Sequence, residues 1–178
     1  MNRRLTWISL LLGLLLAMPA FAQSKGTLGA DLGLNIPLGN FGDATGIGFG
    51  GLVHYEYPIM EKLNLTGRTG FIFSMAKSYS FPGASGSIDV AVHVFPIWAG
   101  AKYFVWEKAY AAAELGLNMF IPGGDVSGDS EMKFGLNFGG GYEWNKFDFR
   151  LGFHLYSLAD AGDAFGMMLS VGYNFLAF

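Results

Sequence analysis

Residues 147–158 of this 178-residue chain alternate without a break. Phe147, Phe149, Leu151, Phe153 and Leu155 share one face, and Asp148, Arg150, Gly152, His154 and Tyr156 take the other. Successive side chains of a strand point to opposite faces, so a period of two predicts a strand. A helix would scatter the same charges around its circumference. A strand with one apolar face suits a soluble core as well as a membrane, so the rest of the chain has to decide between them.

The same alternation, with turn residues between the segments, predicts eight strands, over residues 27–36, 46–57, 63–73, 88–104, 110–120, 134–144, 147–158 and 165–175. The connections at 58–62, 105–109 and 145–146 are short. Those at 37–45, 74–87 and 121–133 are longer, and 159–164 is intermediate. In the fourth strand Val90, Val92 and Val94 share a face opposite Asp89 and His93; beyond Pro96 the apolar positions become Ile97, Ala99, Ala101 and Tyr103. That change of parity predicts a bulge at Pro96, a place where a sheet tolerates proline. No repeat or linker interrupts the series, which predicts one domain.

Hydrophobic residues make up 52% of the chain, yet no internal run is long enough for a membrane helix. The 27 glycines lack the collagen period and suit a barrel, where small residues make room inside. Residues 1–22 read as a signal peptide: Arg3 and Arg4, an apolar stretch over 5–18, and Ala20-Phe21-Ala22 before the cut. The expected mature domain is therefore 23–178. Losing the two arginines takes the formal charge from −3 to −5, which argues against nucleic acid as a partner. With no cysteine there is no lipoprotein acylation site, disulfide or thiolate metal site.

Every charge placed within a strand falls on the second face: Asp31, Glu56, Arg68, Asp89, Lys102, Glu114, Glu143, Asp148 and Arg150. A soluble barrel puts charge outside. A membrane barrel reverses this, because a midplane Lys or Arg facing lipid costs roughly 2–4 kcal/mol. Short connections alternating with long ones fit the second case. So do the aromatics near the short turns, which predict a girdle on the periplasmic side: Tyr55, Tyr57, Tyr103, Tyr142, Trp144, Phe147, Tyr173 and Phe175. The expected fold is all-β, an eight-stranded antiparallel up-and-down transmembrane barrel with a polar, side-chain-filled interior.

Several stretches resemble the small eight-stranded outer-membrane barrels of the OmpA/OmpX type, in the broad outer membrane protein beta-barrel domain family. They are Pro37-Leu38-Gly39-Asn40-Phe41-Gly42 before a Gly-rich strand, Pro96-Ile97 leading to Gly100-Ala101-Lys102-Tyr103, and the terminal Tyr173-Asn174-Phe175 with Phe178. The resemblance spans nearly the whole mature chain through diffuse motifs, and Phe178 falls out of phase with Tyr173 and Phe175. It implies a monomer in the cell outer membrane, with outer-membrane lipid, lipopolysaccharide and the barrel-assembly machinery as partners.

An eight-stranded interior holds little beyond side chains. Unpaired charge there is costly, so the inward residues, with His54, His93 and His154, are expected to form one linked network. Arg150 is expected to reach Glu143 or Asp148 across the 145–146 turn. No cofactor or metal is expected. Asp125, Ser127, Asp129 and Glu131 could hold Ca²⁺ weakly but read better as a solvated acidic loop. His54-Tyr55-Glu56 lacks the cysteines of a zinc deaminase, and Gly46–Gly51 lacks the helix of a nucleotide loop. Lipid A deacylases and palmitoyltransferases share the architecture, but His154, Ser157 and Asp160 make a poor triad because Ser157 falls on the other face. The sequence supports first a non-enzymatic barrel for envelope integrity or surface contact through its outer loops. Second stands a narrow pore for small or hydrophobic molecules, and third a lipid A-modifying enzyme.

Overall fold

The computed structural model describes residues 26–80, 86–126, 128–160 and 164–177. The expected signal peptide, Ser127 and Phe178 lie outside them. The strands are β1 (Thr27–Leu38), β2 (Gly48–Met60), β3 (Leu63–Ser74), β4 (Lys77–Ser80), β5 (Ser87–Phe104), β6 (Ala109–Gly124), β7 (Glu131–Trp144), β8 (Phe147–Leu155) and β9 (Phe165–Ala177). A six-residue helix, α1 (Gly39–Ala44), follows β1.

The long strands pair antiparallel with their chain neighbours, β1 pairs with β9, and β3 pairs with β5. The sheet thus closes on itself and has no barrel edge. β4 is a ninth, short strand within the expected 74–87 loop. It lies against the start of β5, from Lys77↔Val90 to Ser80↔Ser87. Three short turns, 61–62, 105–108 and 145–146, gather at one end; α1, β4 and the longer connections gather at the other. In the 145–146 turn Asn145 takes φ 57, a left-handed conformation that Asn tolerates.

Pro96 makes no bulge. The β5–β6 register runs unbroken from Val90↔Gly124 to Phe104↔Tyr110. Pro96 has no N–H to give, and the Thr69 hydroxyl donates instead to its carbonyl at 2.9 Å. The parity of β5 is therefore constant: Val94, Trp98 and Lys102 are buried inside, while Ile97 and Tyr103 stand outside. His93 faces outward among Phe71 and Phe73, with ring centroids 6.1 and 5.7 Å away. Asp89 is half-buried beside β4, where its carboxylate accepts from Ser78 at 2.5 Å. Neither residue joins the interior expected for it. The valines suggested the opposite parity because the inward face of β5 is itself apolar at this level.

The outer surface follows the alternation. Leu32, Phe49, Phe73, Phe134, Phe149, Phe153 and Leu169 are each 40% exposed or more, while Asp31, Lys102, Glu114, Asp148 and Arg150 are buried. The ionised groups are inside a cylinder whose outer wall is apolar, which is the order of a transmembrane barrel.

Candidate functional site

The lumen has two halves. The half nearer the short turns is charged. Lys102, from the end of β5, donates to carboxylates of three other strands: Glu56 on β2, Glu143 on β7 at 2.9 Å and Asp148 on β8 at 2.9 Å. An ammonium has three donors and no acceptor, so all its hydrogen bonds are made. These three carboxylates are the one group among the described residues with metal-like convergence, within 4.8 Å of one another, and the Lys102 ammonium sits among them. Tyr110 adds a hydroxyl to Asp148 at 2.5 Å.

A second cluster lies one level deeper. Arg150 grips Glu114 with two bonds, 3.0 and 2.9 Å, the fork geometry that makes such pairs strong. Glu114 also accepts from Thr66 at 3.2 Å and Asn137 at 2.5 Å. Arg68 donates to Asp31 at 3.0 Å and approaches Glu114 at 3.7 Å. His54 bridges Asp31, at 3.1 Å, and Asn174, at 2.7 Å. Arg150 thus reaches across the lumen to β6. It does not turn back to Glu143 or Asp148, which Lys102 has taken. A cavity of about 10 Å³ between the clusters, lined by Asp31, His54, Glu56, Arg68, Asp148 and Arg150, has room for about one water.

The other half is apolar, which the alternation did not announce. Leu52, Ile72, Val94, Trp98, Tyr156 and Met168 pack together inside, and Phe41 of α1 closes the top. Phe41 meets Tyr156 at 5.2 Å and Phe120 edge-on at 6.0 Å between centroids. Lys77 and Tyr79 of β4 donate to the backbone carbonyls of Gly42 and Asp43 and so tie α1 down. The polar atoms of this half pair mainly with one another, and the Asn35 amide nitrogen has no hydrogen-bond partner among the described residues. Trp98 Nε1 donates to Asn118 at 3.0 Å, Asn118 to the Tyr156 carbonyl at 2.9 Å, and the Tyr156 hydroxyl to Asn35 at 2.5 Å. Arg68 lies 5.9 Å from the Trp98 ring, at the seam between the halves.

His154 sits in that seam, its ring 4.7 Å edge-on to Trp98 and 5.4 Å from Tyr156. Ser157 is engaged elsewhere. Its hydroxyl donates to Asp160 at 3.0 Å and accepts the Asp160 N–H at 3.2 Å. These bonds, with Lys133 at 3.2 Å, hold the Asp160 carboxyl below the usual carboxylate range. The three residues form no triad. In the acidic loop Asp125 accepts the Asp89 N–H at 2.9 Å, Glu131 pairs with Lys133 at 3.5 Å and Asp129 is exposed.

Of the girdle residues, Tyr57, Tyr103, Tyr142, Trp144, Phe147, Tyr173 and Phe175 are exposed on the outer wall near the short turns, and Tyr55 is half-buried there. Phe147 stacks edge-on to Tyr173 at 5.3 Å, and Lys146 lies 6.0 Å from the Tyr173 ring. Trp106, 73% exposed in the 105–108 turn, extends the band.

No protein-family model and no curated protein matches the chain. Solved structures do. The attachment invasion locus protein Ail of Yersinia pestis superposes with a TM-score of 0.55 at 14% identity, over 85% of this chain and 98% of that one. The chain has the fold of the small eight-stranded outer-membrane β-barrels. Within that fold, Ail solved in a phospholipid bilayer nanodisc gives a TM-score of 0.52 at 18% identity, covering 85% of this chain and all of the other. Neisserial surface protein A gives 0.51 at 16%, covering 85% and 98%.

Proposed function

We propose that the protein is a non-enzymatic integral outer-membrane barrel, set among outer-membrane lipid and lipopolysaccharide after insertion by the barrel-assembly machinery. Its long-loop end, carrying α1, β4 and the 125–130 loop, is the surface it presents for envelope integrity or contact with other surfaces. The observation that carries this reading is the plugged lumen inside an apolar wall. Lys102, Arg68, Arg150 and their carboxylates fill one half, and Trp98, Met168, Tyr156 and Phe41 fill the other. A filled interior favours a scaffold over a passage, and the engagement of Ser157 with Asp160 disfavours a hydrolase. The fold shared with Ail, the attachment invasion locus protein of Yersinia pestis, supports the surface-contact side.

The test is refolding in detergent followed by electrophoresis with and without boiling, together with planar-bilayer recordings. The expected result is heat-modifiable migration and no steady unit conductance. Stable single-channel currents would replace this reading with the pore, and a change in lipid A acylation on expression, read by mass spectrometry, would replace it with the enzyme.

A further inference from the structure

The outer wall carries a strip of small residues on β3, β5, β6 and β7. On the register of β3, β5, β6 and β7, Ala101 faces Ala113, Tyr103 faces Ala111, Ala111 faces Gly140 and Gly67 faces Ala99. Leu65, Leu115 and Leu136 wall this strip and make it a surface groove of about 610 Å³. A Cβ added to Gly67 would meet nothing within 4 Å, so its edge is open. At the short-turn end of the same strands lies a notch of about 580 Å³ between Trp106, Glu107, Lys108, Ala109 and Tyr142. The turn under it is fixed by Val105 N–H to the Ala109 carbonyl at 2.9 Å and Glu143 N–H to the Lys108 carbonyl at 2.8 Å. Among the described residues, Glu107 and Lys108 take part in no ion pair.

We propose that groove and notch together hold one zwitterionic phospholipid bearing a primary ammonium, in the leaflet at the short-turn end. The charges are complementary: Lys108 faces the phosphate and Glu107 the ammonium, with the Trp106 indole and Tyr142 hydroxyl at headgroup depth. The lengths agree too. From Lys108 to Leu115 is about 23 Å along the strand at ~3.3 Å per residue. A barrel tilt near 40° reduces this to about 18 Å of depth, close to one leaflet of a ~30 Å hydrocarbon core. The groove spans the 99–101 and 113–115 levels, and the small pair Ala111 and Gly140 continues it toward the notch, so an acyl chain can lie where bulky neighbours would hold it off. The 61–62 turn supplies a control, because Glu61 and Lys62 offer the same charges below exposed Tyr57, Ile59 and Met60. The inference rests on the membrane reading above.

The experiment is native mass spectrometry of the refolded barrel released from detergent. Equal amounts of dioleoyl phosphatidylethanolamine, phosphatidylcholine and phosphatidylglycerol are present, and heat-modifiable migration checks each variant's fold. One phosphatidylethanolamine is expected to remain bound in preference to the others. Glu107→Gln with Lys108→Gln should lower its retention roughly two- to thirtyfold, the range of two exposed ion pairs, and remove the preference. Ala113→Phe should lower retention of all three lipids by filling the groove. Glu61→Gln with Lys62→Gln should change nothing. Wild-type retention in the first two variants, or an equal loss in the control, overturns the site while the barrel stands. A wild-type dimer that Ala113→Phe dissociates in sedimentation also overturns it, assigning the groove to a second copy. Failure of heat-modifiable migration in the wild type would instead remove the barrel reading itself.

Discussion

The two halves of the lumen solve one packing problem by opposite means. Near the short turns, charge fills the space, and Lys102, Arg68 and Arg150 are each held by carboxylates from other strands. Near the long loops, apolar side chains fill it, and Phe41 on α1 acts as the stopper. The charged half links strands that are not neighbours: Lys102 alone joins β5 to β2, β7 and β8. The apolar half holds fewer such links: Tyr156, just past β8, donates to Asn35 of β1 and accepts at its carbonyl from Asn118 of β6. Directional contacts therefore specify which strands face each other across the barrel, while the apolar plug supplies bulk.

That contrast can be broken from either side, and the damage should fall in a set order. Lys102→Met leaves Glu56, Glu143 and Asp148 converging with no cation, so it should cost the most, about 3–5 kcal/mol. A urea titration followed by the heat-modifiable band should show it, and a midpoint equal to wild type would mean that these charges do not organise the barrel. Trp98→Ala empties the centre of the apolar half and should cost about 3–4 kcal/mol by the same titration. A larger loss than for Lys102→Met would reverse the ranking of the halves. Arg150→Ala should follow at about 3 kcal/mol, because Glu114 keeps Thr66, Asn137 and the more distant Arg68 as partners. Full resistance to heat in this variant would dissolve the second cluster.

Phe41→Ala should cost less, about 2 kcal/mol, since a stopper at the rim leaves space that solvent can enter. Its clearer sign is faster amide exchange in α1 with the charged half unchanged. Asp160→Asn should have the smallest effect. The Asp160 carboxyl is held below its usual range in the fold, so its contribution is present at neutral pH and lost as pH falls through the lowered value. The variant should lower the neutral-pH midpoint slightly and erase that acid-side slope in unfolding titrations, and an acid-side slope equal to wild type would show that the Asp160 carboxylate carries no such contribution.

Much of this was legible in the chain. Residues 147–155 appear as β8 on the expected faces, and the 105–108 and 145–146 turns fall where the pattern put them. Differences gather at the long-loop end. Residues 77–80 form β4 and 39–44 form α1 where only loop was expected, because each is held by contacts with distant segments and not by its own periodicity. Asp89 and His93 were misplaced for a related reason. Once Val94 and Trp98 point into an apolar half-lumen, hydrophobicity no longer marks the outer face of β5. Nothing local in Leu52, Ile72 or Met168 says that they meet inside.

The amino-acid order alone determined the eight long strands, the faces of all but the first part of β5, the ends bearing short and long connections, and the burial of charge within an apolar wall. Each of these is a period-two property carried by neighbours within a single strand. Only the tertiary structure decided the partners. Arg150 goes to Glu114 and Lys102 to Asp148, because closure through β1–β9 and β3–β5 fixes which side chains face one another across the lumen. That distance depends on the register and stagger of all eight long strands at once, and no single strand encodes it.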